Sequence, residues 1–327
     1  MNAHSHEAIH PMLDLLRPTV ATREIEKLSD AIMLALEASY RGICVYSFAR
    51  FGKTEAITYL RLHRKWLKEY KAAILTLECP KADKRTDGSF TSILLTWFKV
   101  RYSLKATPHE LMQQLASFLI ERCHAAGSKL VMIMADDANR LKPDDYEHLV
   151  TLDNLLTRRG YYLFVVSVFQ RDVTGFTNET VVRSEYPPHT HGRFLVRKHE
   201  LSGVRNIEDL SYYLARYDQN TEWPAGSGVS YSRHFAAHAF ENGWRLAQEA
   251  SRLWAAAERL RAANRLPSKW TWPMKSLEGT VAYLLTSIAA NKPDFCELSD
   301  NEIENAVEVA GYTELELSRH TYGPNGE

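Results

Sequence analysis

Four short apolar runs constrain this chain more than any other feature. Residues 42–47 (GICVYS), 72–79 (AAILTLEC), 129–137 (KLVMIMADD) and 161–169 (YYLFVVSVF) read as buried strands by their continuous apolar character. A fifth candidate lies in GRFLVRKHEL, residues 192–201. Helical patterns separate them. TREIEKLSDAIMLALEAS (22–39) repeats Ile25, Leu28, Ile32 and Leu36 at helical spacing, with Thr22 placed as N-cap. The patterns at 53–70, 89–104, 108–127 and 143–160 predict further helices. Gly127 and Gly160 close two of them, and Pro143 opens the last. Strands alternating with helices predict a parallel, doubly wound α/β sheet.

From residue 206 the strand signal disappears. The segments 206–217, 230–264 and 276–291 are helical in pattern, with Gly243 interrupting the second. LPSKWTWP (266–273) reads as a linker, and Trp244, Trp254, Trp270 and Trp272 as core of the helical region. The expected organisation is a flexible arm over 1–21, an α/β core over 22–205, a helical domain over 206–265, and a C-terminal helical segment and tail over 266–327. The polar stretch 296–327 reads as an exposed docking segment.

Formal charge is zero, from 40 basic and 40 acidic side chains, so contact with nucleic acid must come from a local basic surface. No apolar run approaches the roughly 18 residues of a membrane span, and the N-terminus has no signal-peptide core, so the expectation is a cytoplasmic protein without a membrane partner. Cys44, Cys79, Cys123 and Cys296 form no C-x-x-C pair and are expected as buried free thiols. The histidine groups HSHEAIH and HTHGR lack cysteine or acidic partners at ligand spacing. No G-x-S-x-G elbow or H-E-x-x-H helix occurs.

One string carries chemistry. SFARFGKTEA, beginning at Ser47, ends like a phosphate-binding P-loop, G-x-x-x-x-G-K-[ST], with Ser47 in the place of the first glycine. It sits between a predicted strand and a predicted helix, where backbone amides and the helix N-terminus would hold phosphates. Ser47, Phe48, Ala49, Arg50, Phe51, Gly52, Lys53, Thr54 and Glu55 form the candidate ATP cradle. Lys53 would reach the β- and γ-phosphates, and Thr54 would ligate Mg²⁺. Roughly 80 residues later, VMIMADD ends a strand in two acids, the Walker B pattern. Asp136 would hold Mg²⁺ through water and Asp137 would act as general base. Asp137 stands where most such sites have Glu. A carboxylate set back by about 1 Å predicts tight binding with slow ATP hydrolysis.

The order of these parts resembles an AAA+ ATPase of the transposition-regulator type, the TnsC/TniB/MuB group, over residues 20 to 260. SFARFGKTEA is similar to its Walker A, VMIMADDANRL to its Walker B, YYLFVVSVFQRDV to its sensor-1 strand and GRFLVRKHELSGV to the segment that follows. The resemblance makes the 206–265 region a lid. It implies Ser167 or Gln170 as γ-phosphate sensor, Arg193 or Arg197 as a finger acting on the neighbouring subunit, and Arg245 as the lid's sensor-2 arginine. It further implies ATP-dependent rings or filaments on duplex DNA, a transposase partner and a TniQ-type targeting adaptor. Lys81, Lys84, Arg85, Lys105, Arg140 and Lys142 are the candidate phosphate contacts. Two other readings compete: a STAND-type signalling or defence ATPase, which predicts a long effector segment that this chain is too short to hold, and a P-loop relic that binds a partner without ATPase activity.

Overall fold

Each of the four apolar runs forms a strand in the computed structural model, which describes residues 9–79, 89–171 and 186–321. Helix α1 (Arg23–Glu37) precedes β1 (Gly42–Ser47); α2 (Lys53–Leu62) leads to β2 (Ala73–Glu78); α3 (Ser89–Trp97) and α4 (Pro108–Ala125) lead to β3 (Leu130–Asp136). Helix α5 (Pro143–Arg158) then leads to β4 (Tyr162–Gln170), and β5 spans Lys198–Glu200. The strands form one sheet in the order β2-β3-β4-β1-β5, and every pairing is parallel. The expected α/β class, a parallel sheet flanked by helices with a helical region after it, is what the chain forms.

The strands are apolar throughout because both faces are covered. Side chains alternate across a strand. Cys44, Val131, Ile133, Leu163 and Val165 share one core with Leu94 of α3, Leu115 and Leu119 of α4, and Leu152 and Leu156 of α5. Ile43, Val45, Met132, Met134, Val166 and Val168 share the other with Leu28 and Ile32 of α1 and Ile57 and Leu60 of α2. Each fully buried aliphatic side chain contributes roughly 1.5–3 kcal/mol, so these two cores hold the sheet together.

Several helices end earlier than their patterns predict. Helix α2 stops at Leu62, where a 3₁₀ turn (Arg64–Leu67) lets Trp66 Nε1 donate to the Leu60 carbonyl at 2.8 Å. That bond satisfies a carbonyl the helix end would leave open. Helix α3 stops at Trp97, closed by Lys99 at φ 58° and by a 2.8 Å bond from the Val100 amide to the Leu95 carbonyl. Of the fifth predicted strand only Lys198–Glu200 is extended; His191–Leu195 forms a helical turn.

The chain divides into two compact units. One is Ile25–Ala49 with Lys53–Leu201, the sheet unit; the other is Met1–Glu24, Arg50–Gly52 and Ser202–Glu327. The second contains helices α6 (Ile207–Gln219), α7 (Ala250–Ala263), α8 (Met274–Tyr283), α9 (Asp300–Val309) and α10 (Tyr312–Thr321). Its core centres on aromatic rings. Trp254 stacks on Trp270 at 4.2 Å, and Trp272, fully buried, lies 5.4 Å from Tyr312. The 266–273 stretch therefore contributes Trp272 to the core, while Pro267, Ser268 and Lys269 are exposed. Two more expectations are corrected here. His10 and Met12 are buried in this unit, so residues 9–21 do not form a free arm; His10 packs against Trp223, Tyr231, His234 and Phe235. Ile303, Val307, Tyr312 and Glu316 are buried as well, so the C-terminal segment is not an exposed tail. Arg261 and Glu316 form a buried ion pair there. Cys44, Cys79 and Cys123 are buried thiols, whereas Cys296 is exposed.

Gly42 opens β1 under tight constraint. A Cβ there would stand 2.7 Å from the Val165 carbonyl oxygen and 2.8 Å from that of Phe194. Backbone cannot yield as a side-chain tip does, so Gly42→Ala is expected to cost about 1–3 kcal/mol of unfolding free energy, read as a lower urea midpoint.

Candidate nucleotide-binding site

Ligand sites in open parallel sheets lie beyond the carboxyl ends of the strands. Here β4 lies between β1 and β3, and the register sets Ser47 beside Gln170 and Ala135 beside Ser167. Alternation then turns Ser47, Asp136 and Gln170 toward the face covered by α2, following Val45, Met134 and Val168 of that core. The P-loop string and the acidic strand end thus meet on one face.

The meeting is direct. Thr54, in the first turn of α2, donates from Oγ1 to Asp136 Oδ2 at 2.5 Å. Lys53 is 8% exposed, and its Nζ donates to the Phe48 carbonyl at 3.0 Å, so the ammonium is drawn into the loop. Ser47 is buried at the end of β1, and its Oγ has no hydrogen-bond partner among the described residues. Ser47 does not adopt a positive φ, which is why a residue with a Cβ serves where the pattern has glycine. The left-handed torsions fall later, at Arg50 (φ 66°) and Gly52 (φ 82°). Arg50–Gly52 cluster with the helical unit. Within that unit Phe51 is buried, the Arg319 guanidinium stands 5.1 Å from its ring, and the Lys275 amide donates to the Arg50 carbonyl at 3.2 Å. Glu55 is exposed in the first turn of α2.

Asp137 occupies the left-handed region (φ 51°, ψ 42°), an uncommon conformation for a residue with a side chain and one associated with functional sites. Its amide donates to Asp136 Oδ1 at 3.0 Å, and its Oδ2 pairs with Arg140 Nη2 at 2.9 Å. Arg140 also donates to the Cys79 carbonyl at 3.0 Å. The predicted DNA contact Arg140 is thus ion-paired with the second acid.

Of the two sensor candidates, Ser167 is excluded by burial. It is fully buried, and its Oγ accepts from the Tyr146 hydroxyl at 2.9 Å on the opposite face of the sheet. Gln170 is exposed at the strand's carboxyl end. Sequence reasoning missed the next residue. Arg171 donates its amide to the Ser47 carbonyl at 2.7 Å, pairs with Glu200 at 3.1 Å, and has its guanidinium 5.9 Å from the Phe48 ring. Its signal was its place directly after Gln170, where the strand delivers side chains to the loop.

The other arginines lie elsewhere. Arg193 bonds to Asp153 at 3.1 Å and to Asn154 at 2.9 Å, on α5. Burial raises the Asp153 pKa, against the pull of Arg41 and Arg193. Arg197 stands over the Tyr40 ring at 5.2 Å, ahead of β5. Both belong to the amino-end side of the sheet and not to this chain's own loop. Arg245, in the helical unit, donates to the Phe240 and Trp244 carbonyls at 2.7 and 2.6 Å and covers the Phe240 ring. Its guanidinium closes the turn around Gly243 instead of standing free. Lys105 and Lys142 are exposed, without a side-chain partner among the described residues. Lys81, Lys84 and Arg85 lie outside those residues.

The donor set suits a nucleotide with Mg²⁺. A hydroxyl and a carboxylate in contact are hard oxygen ligands, and a buried ammonium at a helix N-terminus suits phosphate. Among the described residues no histidine, cysteine and acid cluster could hold another metal, and no helix is long and apolar enough to cross a membrane.

Comparison with known proteins adds little beyond this geometry. No family model matches the chain, and no curated protein does. Among solved structures, the chain is similar to the Aeropyrum pernix ORC2 protein in its ADP form, at 14% identity and TM-score 0.44, covering 93% of this chain and 70% of that one. It is also similar to a chain of the E. coli MS115-1 HORMA:CdnC:Trip13 complex (12%, TM-score 0.44, 89% of each chain). A third likeness is to AMPPCP-bound DnaA from Aquifex aeolicus (12%, TM-score 0.36, 94% and 96%).

Replacing Ser167 with alanine leaves the buried Tyr146 hydroxyl without its acceptor. We expect Ser167→Ala to lower unfolding free energy by about 1–2 kcal/mol in urea while leaving the affinity for a fluorescent ATP analogue unchanged. Weaker nucleotide binding at undiminished stability would return Ser167 to the site.

Proposed function

We propose that this chain is an ATPase of the AAA+ type that assembles on duplex DNA in the presence of ATP and regulates transposition. The observation that carries the nucleotide part is the 2.5 Å bond from Thr54 to Asp136, which joins the loop's last hydroxyl to the acid of the third strand. Lys53 and the amides opening α2 hold the phosphates; Thr54 and Asp136 hold Mg²⁺, which neutralises phosphate charge when bound. Gln170 and Arg171 flank the loop from the neighbouring strand, and Asp137, oriented by Arg140, positions the attacking water. Assembly on DNA, the transposase and a TniQ-type adaptor rest on the order of sequence motifs alone. Lys105 and Lys142 supply the exposed cations for DNA phosphates.

Arg193 or Arg197 serves a neighbouring subunit in this reading. Electron microscopy of the protein with duplex DNA is expected to show rings or filaments with ATP and none without it. Lys53→Ala is expected to lose them. Normal assembly by that variant would remove the P-loop assignment, and no ATP-dependent assembly by the wild type would remove the transposition reading.

Hydrolysis follows from the length of the second acid. Extending its side chain with Asp137→Glu brings the carboxylate about 1 Å nearer the phosphate, and a displacement of that size is worth up to about 10²-fold in rate. We expect faster phosphate release from the variant in a steady-state assay; equal rates would overturn the role given to Asp137.

A further inference from the structure

The amino ends of the strands border a second pocket. In a parallel sheet the residues just ahead of each strand gather along one edge, opposite the P-loop. Along that edge stand Lys71 ahead of β2, Lys129 ahead of β3, Tyr161 and Tyr162 at the start of β4, and Arg41 ahead of β1. With Tyr70 they line a cavity of about 510 Å³, the size of a small-molecule site. No acidic side chain lines it.

The two lysine charges there are not consumed internally. Neither Lys71 nor Lys129 has an ion pair or side-chain hydrogen bond among the described residues, and both are exposed. The Ser128 hydroxyl donates to the Lys71 carbonyl and accepts from the Leu130 amide at 2.9 Å, tying the two lysine-bearing segments together. Arg41 is committed differently. It lies 3.7 Å over the Tyr162 ring and 3.5 Å from the buried Asp153, which fixes one wall of the cavity. Tyr161 is held by a 2.8 Å bond between its hydroxyl and His124. Tyr70 is 47% exposed, and its hydroxyl has no partner among the described residues. Two unpaired ammonium groups beside a half-exposed aromatic ring match an anion joined to a flat ring.

We propose that this cavity binds a nucleoside phosphate, its phosphate between Lys71 and Lys129 and its base against Tyr70. The site is independent of the P-loop and of the function proposed above. The nucleotide can come from two sources, a free mononucleotide or a unit of a single strand. The test uses full-length Lys53→Ala protein, so that the P-loop lysine contributes nothing, with AMP followed by calorimetry and a fluorescein-labelled dT12 followed by anisotropy. Saturable binding of at least one probe is expected, weakened at least tenfold by adding Lys71→Glu and Lys129→Glu, and weakened by Tyr70→Ala. Because both lysines are exposed, circular dichroism of the charge-reversed protein is expected to match the parent. Binding of AMP assigns the free nucleotide; binding of dT12 alone assigns the strand. No saturable binding of either probe, or binding indifferent to the two lysine changes in folded protein, overturns the proposal. In protein that keeps Lys53, the same changes are expected to leave ATP binding unaltered, which separates this site from the loop.

Discussion

The carboxyl edge of the sheet depends on a hydrogen bond between the helix that follows β1 and the end of β3, a strand that β1 never touches. β1 and β3 are separated by β4, so their ends lie roughly 10 Å apart, beyond reach of a single short side chain. Thr54 closes that distance from above, because the first turn of α2 carries it over the sheet to Asp136. A crossover between parallel strands is right-handed, which assigns α2 to one face. The alternation of β3 then decides whether the acid can be met. Slipping β3 by one residue, so that Ala135 took the place of Asp136, would turn Asp136 to the α4 side and leave Thr54 facing an apolar side chain. The apolar pairing of Met132 and Met134 with the α2 core therefore also sets the chemistry at the strand's end.

The two ends of the sheet use charge in opposite ways. At the carboxyl end, Asp137 pairs with Arg140 and Arg171 with Glu200, so these two cations are oriented by neighbouring acids. At the amino end, Arg41 and Arg193 converge on the buried Asp153, while Lys71 and Lys129 have no such counterweight among the described residues. A chain of zero formal charge can thus hold a locally cationic cavity. Net charge describes long-range attraction, whereas a ligand meets the few side chains within a Debye length.

The strands were legible because burial on both faces leaves an apolar run that no surface helix shows, and β1 follows its predicted bounds residue for residue. Helix ends were less so. Nothing in the pattern at 53–70 shows that Trp66 folds back on Leu60, since that bond depends on a turn and not on periodicity. The linker reading of 266–273 missed the burial of Trp272, because proline marks a break in helix but says nothing of burial. Thr54, Lys53 and Asp136 were found in sequence because their spacing reflects a local mechanism. Arg140, Arg193 and Arg245 were not resolved, because the carboxylates and carbonyls that hold them are matters of geometry. Ser167 and Gln170 lie three positions apart on one strand, hence on opposite faces, and parity alone would have separated them.

The departure at Ser47 follows from where the chain turns. Glycine is required only where the backbone enters a region closed to other residues. In this loop the strand continues through Ser47, and the left-handed torsions are delayed to Arg50 and Gly52. The serine therefore imposes no strain of that kind, and its hydroxyl is placed on the face shared with Asp136 and Gln170, buried and without a partner among the described residues. A buried hydroxyl lacking a partner carries a desolvation cost that an acceptor on that face would offset. The backbone strain of the site sits instead at Asp137, whose left-handed conformation is held by its own bond to Asp136 and by Arg140. The loop's positive torsions thus fall at Arg50 and Gly52, and the acid that follows β3 is a further residue held in an uncommon conformation by its neighbours.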